Sequence, residues 1–220
     1  MANNTSQQSV RYYDLHTHQP PANPDVTAIV SVDAGNPVLN DYPYCAVGIH
    51  PCYAGMTGFA KLKAIASHPN VVAIGETGLD KFSSTPLRQQ EALFTAHIEL
   101  SGKLHKPLII HCVKAWQELI RIRKQYMSDI PWIIHGFRGN GNLARQLLQF
   151  GFYLSFGRYF NPDALHAAWS LHRLYVETDD SNIGIEDVYQ RIASHLSITC
   201  ETLSSEIHVN FQFLSIHSDC

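Results

Sequence analysis

The chain carries 13 histidines, and the placement of several of them suggests chemistry. His16 and His18 stand two apart in "YDLHTH" (13 to 18), inside a short run with strand character. In a β-strand, residues i and i+2 project to the same side, so these two imidazoles point together. Imidazole is the commonest protein ligand for a metal, and a pair on one face suits one ion. An H-x-H pair alone is a weak signal, because two histidines near a strand end are ordinary. Further ligands have to come from elsewhere in the chain.

They stand at the ends of other apolar runs. His50 closes "CAVGIH" (45 to 50), Glu76 closes "VVAIGE" (71 to 76) and His111 closes "PLIIH" (107 to 111). His135 closes "PWIIH" (131 to 135), and Asp179 closes "RLYVETD" (173 to 179). Singly, each reads as a hydrogen-bonded loop residue. Their repetition at the same point of successive runs is what points to a shared site.

The elements that would position them are legible from pattern. With "VTAIVSV" (26 to 32) and "FYLSF" (152 to 156) there are eight such runs. Several are apolar on both faces, as strands of a buried parallel sheet are. Helix-period segments lie between the later ones: "FAKLKAIASH", "TPLRQQEALFTAHIELSGKL", "AWQELIRIRKQYM" and "NLARQLLQF". Thr85 and Pro86 suit an N-cap and first turn, and Gly151 follows "LLQF" where a helix should stop. Strands alternating with helices predict an α/β fold, a (β/α)8 TIM-type barrel. An open doubly wound sheet would want a Gly-rich loop after the first strand, where this chain has "HTHQPP".

At 220 residues the barrel is near its minimum size and must be shortened. The proline-rich "QPPANPD" (19 to 25) and the segment "GNPVLNDYP" (35 to 43) leave no room for helices after strands 1 and 2. The outer face of strand 2 then needs another cover. Two are expected: the apolar C-terminal stretch "VNFQFLSI" (209 to 216), or a second copy of the chain in a homodimer.

In a barrel, parallel strand ends converge on one face. Six of the residues above (His16, His18, Glu76, His111, His135 and Asp179) then form a set of four His, one Glu and one Asp. A zinc-like ion takes about three or four protein ligands, so two divalent ions sharing a carboxylate fit better. With no thiolate in the set, Zn, Mn, Fe, Ni and Mg remain open.

Composition sets the background. A hydrophobic content of 45% over 220 residues supports a sizeable core, and a net charge of -3 excludes a general nucleic-acid coat protein. No run of about 18 apolar residues predicts a membrane span. "MANNTSQQSV" has no secretory h-region and reads as a flexible tail over 1 to 10, leaving 11 to 220 as one domain. Five cysteines without C-x-x-C spacing read as reduced thiols of a cytoplasmic protein.

"DLHTH", "GIHP", "AIGETGLD", "IIHC", "IIHGF" and "ETD" together resemble the signatures of the TatD-related metal-dependent hydrolases, in the amidohydrolase-like barrel superfamily. The resemblance runs from strand 1 to strand 8. It implies that His16 and His18 hold one ion with Asp179, that Glu76 bridges both ions, and that His111 and His135 hold the second. It makes Asp179 and Glu76 the catalytic carboxylates, with Asp179 also managing the proton of the attacking water. His50 is implied to be a substrate or outer residue rather than a primary ligand. The C-terminal helix is placed beside strands 8 and 1. Members are mostly described as deoxyribonucleases or phosphodiesterases using two divalent metals, so a TatD-like deoxyribonuclease is the expected activity.

Two departures bear on the substrate. Val113 and Lys114 follow Cys112 where many relatives carry Arg-Asp, and "ETDDS" puts Asp180 and Ser181 where "ETDAP" is common. The chain's own residues suggest an anionic substrate: Lys81, Lys114, Arg138 and Arg158 lie just past the ends of strands 4 to 7. Such a cationic rim suits phosphate. Phe82, Trp116, Phe137 and Tyr159 stand among these cations, as stacking rings do along single-stranded DNA. Rival readings are a PHP-type phosphoesterase, a C–N or ester-bond amidohydrolase, and a non-catalytic barrel. The first expects a closing D-x-H, the second commonly a lysine on strand 4, and the third has no need of a filled ligand set.

Overall fold

Among the residues described by the computed structural model (10–35, 37–54 and 58–215), eight parallel strands form one sheet in chain order. They are β1 (Tyr12–Thr17), β2 (Val26–Asp33), β3 (Cys45–Gly48) and β4 (Val71–Asp80), followed by β5 (Leu108–Val113), β6 (Trp132–Ile134), β7 (Phe152–Phe156) and β8 (Leu174–Val176). The expected tail lies outside the described residues apart from Val10. Helices α1 (Phe59–Ile65), α2 (Leu87–Leu104), α3 (Trp116–Gln125), α4 (Gly141–Gln149), α5 (Pro162–Trp169), α6 (Ile185–Leu196) and α7 (Cys200–Ser215) follow the later strands. Among the described residues none follows β1, and only a three-residue 3-10 turn, Leu39–Asp41, lies between β2 and β3. The fold is the shortened (β/α)8 barrel that the pattern predicts. No described helix is long and apolar enough to cross a membrane.

The barrel closes between β8 and β1 by a single parallel bridge, Thr17 to Asp179. There the Asp179 N–H donates to the His16 carbonyl at 2.8 Å. Lower in the seam, side chains replace the ladder. The Tyr189 hydroxyl of α6 accepts from the Tyr13 N–H and donates to the Tyr13 carbonyl, each at 3.1 Å. Asp14 accepts from the Thr178 N–H at 3.0 Å and from its hydroxyl at 2.6 Å. Buried backbone groups must find partners, and these side chains supply them.

The apolar side chains of β2 are buried within the single chain. Ala28, Val30 and Val32 are each at most 6% exposed, and Ser31, Val32 and Asp33 line the cavity that holds Glu76. Leu39 of the short turn is buried with them. The short turn therefore supplies part of the cover of β2. Helix α7 meets β2 elsewhere, at the N-terminal end of the barrel, where Phe211 and Leu214 share a cavity of about 160 Å³ with Thr27 and Ile29. It also touches the two strands the resemblance names: Asn210 Nδ2 donates to the Leu174 carbonyl at 2.9 Å, and His208 Nδ1 lies 2.7 Å from the Tyr13 hydroxyl. Ile216, the last residue of the stretch expected as cover, lies outside the described residues.

His97 on α2 anchors the turn that carries His50. Its Nε2 accepts from the Ile49 N–H at 3.1 Å, and its Nδ1–H donates to the Leu93 carbonyl at 2.8 Å. Burial pushes this imidazole down to about 4. Its folded pKa is below the unfolded value, so its contribution is complete above pH 6.5 and is lost as pH falls toward 4. The difference amounts to about 3 kcal/mol. Asp14 opposes it, because burial pushes that carboxyl up to about 7 and stability then falls as pH rises. The expected result is therefore a comparison. In urea unfolding from pH 7 to 4, wild type should lose more stability than His97→Gln; parallel curves would contradict it.

Candidate metal centre

The strand ends bring the expected donors together around Glu76. A register shift between Asp14 and Thr17 in β1 accompanies the turn that sends Asp14 toward Thr178 while His16 and His18 face inward, their rings 5.0 Å apart. Between β3 and β4 the backbones approach so closely that only glycine fits: a Cβ on Gly48 would stand 2.8 Å from the Gly75 Cα.

The two carboxylate oxygens of Glu76 divide the histidines. Oε1 lies 2.7 Å from His135 Nε2, 2.9 Å from His111 Nδ1 and 3.4 Å from His50 Nε2. Oε2 lies 3.7 Å from His16 Nε2 and 4.0 Å from His18 Nε2. Asp179 Oδ1 sits on the second side, 3.5 Å from His16 Nε2 and 3.6 Å from His18 Nε2. Among the described residues three groupings could each hold an ion: His16, His18 and Glu76; His50, Glu76 and His111; and His16, His135 and Asp179. All six expected ligands are present in these groupings. His50, expected as an outer residue, joins them as a seventh, and His135 stands near both sides.

Electrostatics match this arrangement. Burial would push the Glu76 carboxyl up, but hydrogen bonds from His111, His135 and His50 outweigh it and hold it well below the usual carboxylate range. Asp179 is likewise held low against burial by His16 and His18. Burial pushes His16 down, which keeps the imidazole neutral with a free lone pair. His16 is fully buried, and neither of its ring nitrogens has a hydrogen-bond partner. A buried polar atom without a partner is costly, and an ion at Nε2 would satisfy it. The donors fit a divalent metal centre of nitrogen and oxygen ligands.

Two further carboxylates act on these donors and were not singled out from sequence. Asp80 Oδ2 lies 3.2 Å from His111 Nε2, the ring nitrogen turned away from Glu76. Glu177 is fully buried, accepts the Gly136 N–H, and has Oε1 3.8 Å from His135 Nδ1. Gly136 has φ +57°, so glycine suits the turn that presents this N–H. A signal existed: 76, 78 and 80 share one side of a strand, as do 177 and 179. Carboxylates behind ligating imidazoles fix ring orientation, and their loss costs about 10–100-fold in metal affinity. Asp80→Asn should weaken metal binding by roughly that factor with little change in melting temperature. Unchanged affinity in a metal titration would remove this role.

The expected substrate residues are placed unequally. Lys81 Nζ is paired with Glu118 Oε1 of α3 at 2.7 Å. Lys114 and Arg138 line a cavity of about 580 Å³ with His111 and His135, and Arg158 lines an adjoining one. Among the rings, Phe82 and Tyr159 are exposed. Phe137 is buried against Trp116 and Phe156, so it belongs to the core and offers no stacking face, which corrects the expectation for it.

The family profile described as TatD related DNase matches residues 30–214. The match starts within β2 and leaves His16 and His18 outside it. YabD of Bacillus subtilis, described as a metal-dependent hydrolase, is 37% identical over 122 residues, covering 53% of this chain and 48% of that one. A Cronobacter turicensis protein named 3'-5' ssDNA/RNA exonuclease TatD is 31% identical over 170 residues, covering 71% and 64%. The chain spans about half the length of the curated relatives it matches. The solved structure of YJJV, a TatD homolog from Escherichia coli K12, has the same fold, with a TM-score of 0.79 at 22% identity over 93% of this chain and 98% of that one. With the profile matched from β2 through most of α7, the chain belongs to the TatD related DNase family.

Proposed function

We propose that this chain is a metal-dependent phosphodiesterase that uses two divalent ions and acts on single-stranded nucleic acid. The observation that supports it best is the division of the histidines between the two oxygens of Glu76. One carboxylate serving two imidazole sets is what a shared ligand of two ions requires. Glu76 would bridge, with His16, His18 and Asp179 on one side and His111, His135 and His50 on the other. Two ions bound there supply a nucleophilic water at neutral pH and neutralise charge developing at phosphorus.

The protein's own groups complete the chemistry. Asp179 has its carboxylate 26% exposed and is held anionic by His16 and His18, and it would accept the proton of the attacking water. Lys114 and Arg138 would hold substrate phosphates, Arg138 from the point where the larger cavity meets the smaller one. The nuclease name of the Cronobacter relative supports nucleic acid as substrate class. The test is turnover of single-stranded DNA, RNA and a small phosphodiester by metal-loaded and chelated protein. Cleavage confined to the loaded form is expected; a loaded enzyme that leaves all three intact would exclude the reading. We further propose the cytoplasm as its location, in keeping with cysteines 45, 52, 112 and 200 being free.

A further inference from the structure

Beside the donor cluster lies a smaller cavity of about 240 Å³, with Asp179 in its wall and Arg138 and Arg158 lining it. The two arginines come from the consecutive loops β6–α4 and β7–α5. Both guanidiniums lie over the ring of Tyr159, at 5.5 and 5.2 Å from its centroid. Among the described residues the only lysine or arginine ion pairs are Lys81–Glu118 and Arg121–Glu91, so neither arginine has a carboxylate partner. Asp180 also lines the cavity, but it is exposed.

Two unpaired guanidiniums sharing one aromatic ring are held by cation–π attraction while their donor forks remain free. A fork of this kind matches phosphate oxygens two at a time. Arg138 lines both this cavity and the larger one that contains His111 and His135, so the small cavity adjoins the reacting site without overlapping its histidines. We infer that Arg138 and Arg158, held by Tyr159, bind a second phosphate of the substrate, the neighbour of the one that is cleaved. This rests on the phosphodiesterase reading above. The clamp selects chains that carry an adjacent phosphate over isolated phosphodiesters, and it reads backbone rather than base.

The test compares thymidylyl-thymidine, which has one phosphodiester, with the same dinucleotide phosphorylated at its 5' or 3' end. In metal-loaded wild type, one phosphorylated form should have the higher kcat/KM by about tenfold or more, and R158Q should shrink that advantage to within about threefold. Binding supplies a readout independent of metal. By anisotropy, the base-labelled phosphorylated dinucleotide should bind metal-free R158Q about tenfold more weakly than metal-free wild type. Cleavage of the plain dinucleotide with no gain from either terminal phosphate would overturn the clamp and leave the phosphodiesterase reading intact. An advantage retained in full by R158Q would overturn it as well. If no diester is cleaved, the underlying reading fails, and the binding comparison alone decides the clamp: equal affinity of the two proteins overturns it.

Discussion

Replacing Glu76 with alanine should lower phosphodiester turnover by on the order of 10³-fold or more, since it removes both ligand sets' common partner. Its Oε1 is within 3.4 Å of three imidazoles and its Oε2 within 4.0 Å of two more. Without the carboxylate those five rings lose the one anion they share, and Asp179, Asp80 and Glu177 each reach only one or two of them. Metal content should fall with activity. Glu76→Gln separates charge from shape: it keeps the side chain's size and hydrogen-bonding reach but cannot serve as an anionic bridge. Both variants should be inactive, and near wild-type turnover in either would contradict the bridging role. Circular dichroism checks that the barrel persists, because β3 and β4 meet tightly beside this residue.

Asp179→Asn is the second large effect, and the backbone dictates the choice of asparagine. Asp179 has φ +55°, in the left-handed region that side chains other than Asn and Asp adopt at a cost. Asparagine tolerates that conformation, and the backbone bonds that close the barrel at Thr17 remain available. Only the charge is lost. The variant should keep its melting temperature yet lose about 10²–10³-fold in kcat, the range seen when one electrostatic contributor at a reacting centre is removed. Asp179→Ala should add a stability loss of about 1 kcal/mol from the same φ. A D179N enzyme with unchanged kcat would show that the proton is managed elsewhere.

Much of this was readable from the chain. Strands such as "VVAIG" and "PLIIH" are apolar on both sides because a barrel strand is buried on both, and the donors follow them because parallel strands end on one rim. The grouping of the donors was less legible. Placing His50 with His111 depends on how far β3 and β5 lean toward β4, which spacing does not encode. Asp80 was missed because its apolar neighbour Leu79 and the two glycines nearby hide the strand that continues past Glu76. Lys81 looked free until α3 placed Glu118 against it, and Phe137 looked available for stacking until the turn at Gly136 sent it into the core. The cover of β2 likewise depends on loop packing, with Leu39 buried from a turn only three residues long. These are contacts between segments distant in sequence, and periodicity carries no record of them.

The most direct measurement is a titration of divalent metal into chelator-treated protein, with bound metal and phosphodiester turnover followed together. The expected result is two ions per chain, full activity only when both are bound, and loss of the two-ion form in Glu76→Ala. Full activity in metal-free protein, or saturation of both metal content and turnover at one ion, would contradict it.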